Sequence, residues 1–305
     1  LVGSEMCIRD RCATAACGGG EPEGDAPVPD APPRETATLV TTVAGLTGPE
    51  AVKFDPDQDV WLVSNFGPPA GDQRDGNGFI ARVSADGAVE RLRFMQGTED
   101  RPLHMPRGMS LQADTLWVAD VDGIHGFHRV TGRQMVFVDF RGFEPGFLND
   151  IAADPSGVLH VTDTGRGRVY RVEGHTPEIA VEDERTGPPN GITWDEERGA
   201  FLLAPWGGPP VLRAWSPERG FTEVATIPGG DLDGIEVVGG LIVVASQVDS
   251  TLWAVRGAEP APLARLEGAP ADIGIDVRRG RVAIPYISRN LVEIWRVDEL
   301  APGGG

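Results

Sequence analysis

The chain has 305 residues, with 41 Gly, 26 Pro and a formal net charge of −19. This acidity excludes a nucleic-acid-binding footprint and docking on anionic lipid through protein charge, because both need clustered basic residues. The Gly and Pro content, with 40% hydrophobic residues, is typical of a folded chain with many turns, and no apolar run is long enough for a transmembrane helix.

The first 35 residues are predicted to lie outside the fold. Residues 1–11 resemble translated sequencing-adapter DNA, and the segment up to residue 17 resembles the end of a bacterial lipoprotein signal, with Cys17 as the lipidated residue. Residues 18–35 are rich in Gly, Pro and acids, which predicts an extended tether. We therefore expect a lipid-anchored protein of the bacterial cell envelope, in the periplasm or on the outer surface. The alternative is the plain Ala-rich start of a soluble protein.

All three Cys lie in this first segment. The rest of the chain therefore offers no disulfide framework, Cys nucleophile or thiolate zinc site.

One sequence unit recurs along the rest of the chain at intervals of about 40 residues. Each copy has a small or polar turn followed by short β-rich runs that alternate apolar and polar residues. The first interval is longer because it contains the polar loop at residues 67–78. Repeats of this length with several strands per unit are typical of a β-propeller.

The repeats predict an all-β, six-bladed β-propeller over residues 36–300, followed by a disordered tail at residues 301–305. The last unit has only three candidate strands, which end near Val297. The segment Ala37–Ala44 is an extra strand without a unit of its own. We expect this N-terminal strand to complete the last blade and close the ring.

Polar residues stand at the start of the predicted innermost strand of every unit, where the strands surround a central channel. These residues are Glu50, Arg107, Asn149, Asn190, Asp233 and Asp272. Carboxylate and amide oxygens are ligands for a hard cation, above all Ca²⁺. Several acids at one end of the channel would repel each other without a cation. Asn, Asp and Gly are also turn formers, so these motifs could instead simply end loops.

At these residues the chain resembles the regucalcin/gluconolactonase/luciferin-regenerating-enzyme family of six-bladed propellers, over essentially residues 38–297. The segment Glu50–Pro56 resembles the opening of that family's first blade, and Asn149-Asp150, Asn190-Gly191 and Asp233-Gly234 resemble its later motifs in order and spacing. The resemblance implies a divalent cation held by Glu50, Asn190 and Asp233. It also implies that Asn149 completes the shell, directly or through water, and that Asp233 is the general base.

The residues expected to contact the substrate, here called the substrate wall, depart from the family pattern. Family lactonases often have a basic residue two places before the blade-three Asn, where this chain has Phe147. Arg107 could stabilise oxyanion charge or hold a substrate carboxylate, and His104 is close to it in sequence. Trp206, which follows a strand, and Asp272 are further candidates for substrate contact. The departures indicate an altered substrate wall around a retained cation site.

Together these residues predict a metal-dependent hydrolase of a lactone or related ester, in which the cation polarises the carbonyl and Asp233 takes a proton from water. We expect one divalent cation, with Ca²⁺ preferred and Mn²⁺ or Zn²⁺ as alternatives. The partner would be a small-molecule substrate, with no nucleic acid and no membrane contact except through the N-terminal anchor. The alternative function is a non-catalytic, surface-tethered propeller that binds a ligand or protein and uses a structural Ca²⁺.

Overall fold

The computed structural model describes residues 37–68 and 74–301. Six four-stranded antiparallel sheets make up the described chain. Contacts between the first strands of neighbouring sheets connect them into a ring, which confirms the all-β, six-bladed propeller. The predicted lipidation residue Cys17 and the tether at residues 18–35 lie outside the described residues, as do residues 302–305 of the predicted tail.

The strands run from the channel outward in chain order in the first five blades. Blades one and two contain β2 (Pro49–Asp55), β3 (Val60–Asn65), β4 (Phe79–Ser84), β5 (Val89–Gln96), β6 (Met109–Gln112), β7 (Thr115–Ala119), β8 (Gly123–His128) and β9 (Gln134–Asp139). Blades three and four contain β10 (Leu148–Ala153), β11 (Leu159–Asp163), β12 (Arg168–Glu173), β13 (Thr176–Glu182), β14 (Pro189–Asp195), β15 (Ala200–Pro205), β16 (Val211–Ser216) and β17 (Gly220–Thr226). Blade five contains β18 (Leu232–Val238), β19 (Leu241–Ser246), β20 (Thr251–Arg256) and β21 (Glu259–Arg265).

The last blade joins the two ends of the described chain. It contains β22 (Gly274–Asp276), β23 (Arg281–Tyr286), β24 (Leu291–Val297) and β1 (Ala37–Val43). Strand β1 is antiparallel to β24, with Ala37 opposite Val297 and Val43 opposite Val292. The N-terminal strand is therefore the fourth strand of the sixth sheet.

Helical structure in the described residues consists of four single-turn 3₁₀ helices, at Arg141–Phe143, Glu184–Thr186, Ile287–Arg289 and Asp298–Leu300. No helix among residues 37–68 and 74–301 has the length and apolar character needed to cross a membrane.

Apolar clusters between neighbouring blades form the core of the described ring. One cluster combines Trp61 of blade one with Val292 and Ile294 of the last blade, and β1 contributes Val43 to it. Each of these four side chains is at most 2% exposed. The stability of the ring therefore depends on contacts between the first and the last blade as well as on the strand pairing within each sheet.

Removing β1 is expected to destabilise the ring. In a chain that begins at Leu46, β24 becomes an unpaired edge and Val43 is lost from the cluster. A chain that begins at Ala37 keeps the pairing of β1 with β24 and keeps Val43. We expect the shorter chain to lose about 2 kcal/mol or more, which lowers its thermal midpoint by roughly 5 °C, and to self-associate through the open edge. Thermal unfolding and light scattering of both chains measure this, and equal midpoints would show that β1 is dispensable.

Candidate functional site

Four inner strands share an irregularity that places the predicted ligands. In β2, β10, β14 and β18, the pairing with the next strand shifts between the first and the fourth residue, where the inner strand accommodates one extra residue. Such bulges redirect side chains and are frequent next to functional sites. The second residue of each strand, within the bulge, is Glu50, Asn149, Asn190 or Asp233.

The Asn-Gly and Asp-Gly motifs lie within strands β14 and β18, so the turn alternative does not hold for them. Their glycines permit close approach of neighbouring inner strands. A Cβ on Gly191 would lie 2.3 Å from the Asp233 carbonyl oxygen, and one on Gly234 would lie 2.2 Å from the Ile273 nitrogen. A larger residue would push the inner strands apart.

Acids near the ends of second strands hold the loops that lead into the inner strands. Asp163, the last residue of β11, accepts hydrogen bonds from the amides of residues 146 and 147 at 3.0 and 2.7 Å. Asp120, which follows β7, accepts from the amides of residues 104 and 105 at 2.8 and 2.7 Å. These two acids fix the backbone that carries Phe147 and Met105. The sequence motifs did not predict this role for the two acids, although their position at the end of a β-rich run was a usable signal.

A cavity of about 620 Å³ opens over the four bulged residues. It is lined by Glu50, Phe66, Met105, Gly146, Phe147, Asn149, Thr164, Gly165, Pro188, Asn190, Trp206, Asp233, Gln247 and Ile287. The four predicted cation ligands are 4 to 5% exposed, whereas Trp206 on the wall is 46% exposed. The volume is within the range of small-molecule sites. The structure thus brings together the predicted ligands with two predicted substrate contacts, Phe147 and Trp206.

The other three predicted substrate contacts are not among the described residues that line this cavity. Arg107 lies behind Phe147, with its guanidinium carbon 3.7 Å from the ring centroid. His104 lines a separate cavity of about 340 Å³. Asp272 is joined to the first blade through its backbone, since its amide donates to the Glu50 carbonyl oxygen at 2.9 Å.

Two buried carboxylates face the cavity with unsatisfied oxygens. Glu50 Oε2 and Asp233 Oδ1 have no hydrogen-bond partner among the described residues. Burial raises the pKa of Glu50 well above its ordinary value, and the charge of Asp233 raises it further. Burial and the charge of Asp150 raise the pKa of Asp233 to about 7, although hydrogen bonds from Gln247 and Asn190 oppose this. The pair is therefore short of positive charge.

Two further cavity residues orient the polar groups. Gln247 Nε2 donates to Asp233 Oδ2 at 2.6 Å, and Trp206 Nε1 donates to Gln247 Oε1 at 3.2 Å. Asn149 Nδ2 donates to Thr164 Oγ1 at 3.1 Å, which fixes the orientation of the Asn149 amide. Gln247 and Thr164 were not predicted from the sequence. They follow the second strands of blades five and three, as Asp120 does in blade two.

The donor set fits a hard divalent cation. Among the described residues, no three His, Cys, Asp or Glu side chains are grouped as a metal site. The cavity instead combines the carboxylates of Glu50 and Asp233 with the amides of Asn149 and Asn190. Oxygen donors of this kind suit Ca²⁺ better than Zn²⁺, and the two unpartnered carboxylate oxygens are costly to bury without a positive partner.

The opposite end of the channel contains the only Lys of the chain. Lys53 Nζ lies 2.5 Å from Glu236 Oε1, and these side chains are 22% and 20% exposed. Burial acts to lower the pKa of Lys53, but the charges of Glu236, Asp272 and Asp150 outweigh it and raise the pKa. Lys53 and Glu236 line a second cavity of about 420 Å³, to which all six inner strands contribute. Lys53 thus supplies positive charge to this end of the channel, where it faces Glu236, Asp272 and Asp150.

The cation-free protein is expected to become less stable as the pH rises from 6 to 8. Burial raises the pKa of Asp150 and of Asp233 to about 7, whereas an unfolded Asp titrates near about 3.9. The folded state therefore binds more protons than the unfolded state until both groups have ionised, and stability falls between pH 6 and 8 by about 3 kcal/mol for the two groups.

Urea unfolding in chelator at pH 6, 7 and 8 measures this slope. Burial lowers the pKa of His160 to about 4, which has the opposite effect on stability below about pH 6.5. An His160→Gln variant therefore serves as the control. A stability in chelator that is constant or increases from pH 6.5 to 8 would contradict the raised carboxyl pKa values.

No protein-family model and no curated protein matches this chain. Solved structures do match it. A gluconolactonase from Xanthomonas campestris is 15% identical with a TM-score of 0.66, over 86% of this chain and 89% of that chain. A second protein described as a gluconolactonase is 16% identical with a TM-score of 0.64, over 86% of this chain and 92% of that chain.

A virginiamycin B lyase from Staphylococcus aureus also matches, with 13% identity and a TM-score of 0.58, over 85% of this chain and 99% of that chain. At these identities the likeness shows a common fold.

Proposed function

We propose that this protein is a divalent-cation-dependent hydrolase of lactones or related esters, with its active site in the 620 Å³ cavity. The observation that carries the proposal is the buried pair Glu50 and Asp233, each with an unpartnered oxygen, at the closed end of a cavity large enough for a small molecule. One structural neighbour is a gluconolactonase and a second is described as one, and both names refer to hydrolysis of a lactone.

Glu50, Asn190 and Asp233 would hold the cation, and Asn149 would complete the shell directly or through water. Ca²⁺ is the preferred ion because all four residues offer oxygen donors. When bound, such a cation supplies Lewis acidity that polarises an ester carbonyl and acidifies nearby water.

Asp233 is the general base in this proposal. The hydrogen bond from Gln247 orients the carboxylate through Oδ2, and the carboxylate would take a proton from the attacking water. The water oxygen forms a bond to the carbonyl carbon, the ring C–O bond breaks, and the proton passes to the departing oxygen to give a hydroxy acid.

Arg107 acts on the site from behind the wall. Its guanidinium does not line the cavity, but its charge lowers the pKa of Glu50 and so opposes the effect of burial. Its role in this proposal is to keep Glu50 ionised rather than to grip substrate.

Calorimetric titration of Ca²⁺ into chelator-treated protein, beside a Glu50→Gln variant, tests the cation site. We expect one-site binding that the variant loses. A screen of lactones and esters with mass detection then tests the reaction. A product heavier than the substrate by one water indicates hydrolysis, and a ring-opened product of unchanged mass would indicate elimination instead. Ca²⁺ binding without turnover of any substrate would favour the non-catalytic binding propeller.

A further inference from the structure

The wall of the cavity is apolar above its polar base. Six side chains form most of this wall, namely Phe66, Met105, Phe147, Pro188, Trp206 and Ile287. They come from four blades and from the loop after β23, so the apolar surface surrounds the space above Glu50 and Asp233. A ligand whose reacting carbonyl lies at the base would have its substituents against this surface.

The wall also covers the positively charged side chain of Arg107. Arg107 is 1% exposed, its guanidinium stacks on Phe147, and its Nη1 donates to the Leu148 carbonyl oxygen at 2.7 Å. Its Nη2 contacts Met105 Sδ at 3.7 Å. Among the described residues that line the cavity there is no Lys, Arg or His. The walls therefore offer no charged partner for an anionic substituent.

The polar groups of the wall are already paired with one another. Thr164 Oγ1 donates to the Pro189 carbonyl oxygen at 2.8 Å and accepts from Asn149. Gln247 donates to Asp233 and accepts from Trp206. A substrate hydroxyl placed against the six apolar side chains of the wall would lose its bonds to water and gain none from them, which is unfavourable.

We propose that the cavity accepts a neutral lactone or ester whose substituents are apolar, such as an alkyl-substituted δ-lactone, in preference to a polyhydroxylated sugar lactone. This inference rests on the proposed hydrolase function, and it assigns to Phe147 and Trp206 the role of selecting apolar substituents. A pocket that leaves several substrate hydroxyls without partners discriminates against that substrate by large factors.

Two δ-lactones with the same ring test the selectivity. δ-Decalactone carries a pentyl chain, and glucono-δ-lactone carries hydroxyls. With Ca²⁺ present and spontaneous hydrolysis subtracted, we expect kcat/KM to favour δ-decalactone by about a hundredfold or more. Equal values, or a preference for glucono-δ-lactone, would overturn the inference while leaving the hydrolase proposal intact.

Binding of the corresponding lactams, 6-pentylpiperidin-2-one and gluconolactam, separates the two proposals because lactams resist hydrolysis. We expect calorimetry to show at least about tenfold tighter binding of the pentyl lactam. Tight binding of this lactam without turnover of any lactone would contradict the hydrolase and retain the apolar cavity. If neither lactam binds and neither lactone reacts, both proposals fail.

Variants of the wall complete the test. Trp206→Ser removes a half-exposed side chain, so the fold should tolerate it, and we expect about fivefold or greater loss of affinity for the pentyl lactam. Val248→Ser is the matched control, because Val248 is 68% exposed and does not line the cavity. Phe147→Thr would uncover Arg107 and should narrow the preference between the two lactones. Unchanged affinity in Trp206→Ser together with unchanged preference in Phe147→Thr would overturn the assigned wall.

Discussion

Replacing Asp233 with Asn is expected to lower kcat/KM on a lactone or ester by about a thousandfold while the protein stays folded. The amide keeps the shape of the carboxylate but cannot take a proton, and it removes one of the two charges proposed to hold the cation. The fold should tolerate the change because the Asp233 carboxylate is buried, has an unpartnered oxygen and has a pKa raised to about 7. In chelator we expect the thermal midpoint to stay the same or to rise.

Asp272→Asn is the matched comparison, since it neutralises a second buried channel acid that does not line the cavity. We expect this variant to keep most of the activity. Turnover, Ca²⁺ affinity and thermal midpoint should be measured for both variants. Wild-type turnover in Asp233→Asn would rule out Asp233 as the base. Equal losses in both variants would indicate that total channel charge, rather than the position of Asp233, controls the rate.

Replacing Lys53 with Met is expected to destabilise the protein by about 3 kcal/mol. The change leaves Glu236 without its 2.5 Å partner and removes the cation that faces Asp150 and Asp272. Breaking a buried ion pair from one side costs about 3–5 kcal/mol, and the partial exposure of both side chains favours the lower end. Urea unfolding at pH 8, where the acids are most fully ionised, measures the loss.

Two further variants separate charge from packing. Lys53→Arg retains the charge and should stay within about 1 kcal/mol of the wild type. The double variant Lys53→Met/Glu236→Gln removes both charges and should recover most of the loss. If the double variant is as unstable as Lys53→Met alone, the effect is due to packing and the pairing argument is wrong.

The repeat pattern was sufficient to predict the fold. Six copies of one unit predicted the ring. The extra strand at residues 37–44 was predicted to complete the last blade, and β1 lies beside β24. The alternation of apolar and polar residues is local information, so it can be read from one sequence. The bulges of β2, β10, β14 and β18 could not be predicted in this way, because they depend on the register with a neighbouring strand.

Residues in register with the repeat were also placed together as expected. Glu50, Asn149, Asn190 and Asp233 occupy the same position in four inner strands and line one cavity. The position of the Arg107 side chain could not be predicted from the sequence. Arg107 lies two residues before β6 begins, and its side chain stacks on Phe147 of the next blade. A contact between blades is decided by tertiary packing, which a repeat pattern does not encode.

The pairing of β1 with β24 has a consequence for synthesis. Strand β1 is the first strand of the described fold to leave the ribosome, and β24, its partner in the sixth sheet, is the last. Until the C-terminal segment emerges, the cluster around Trp61 lacks Val292 and Ile294. Blades one to five can begin to form during translation, whereas ring closure must wait for the complete chain and joins residues far apart in sequence, which is a slow step. The growing chain therefore carries an unpaired first strand for nearly the whole of its synthesis.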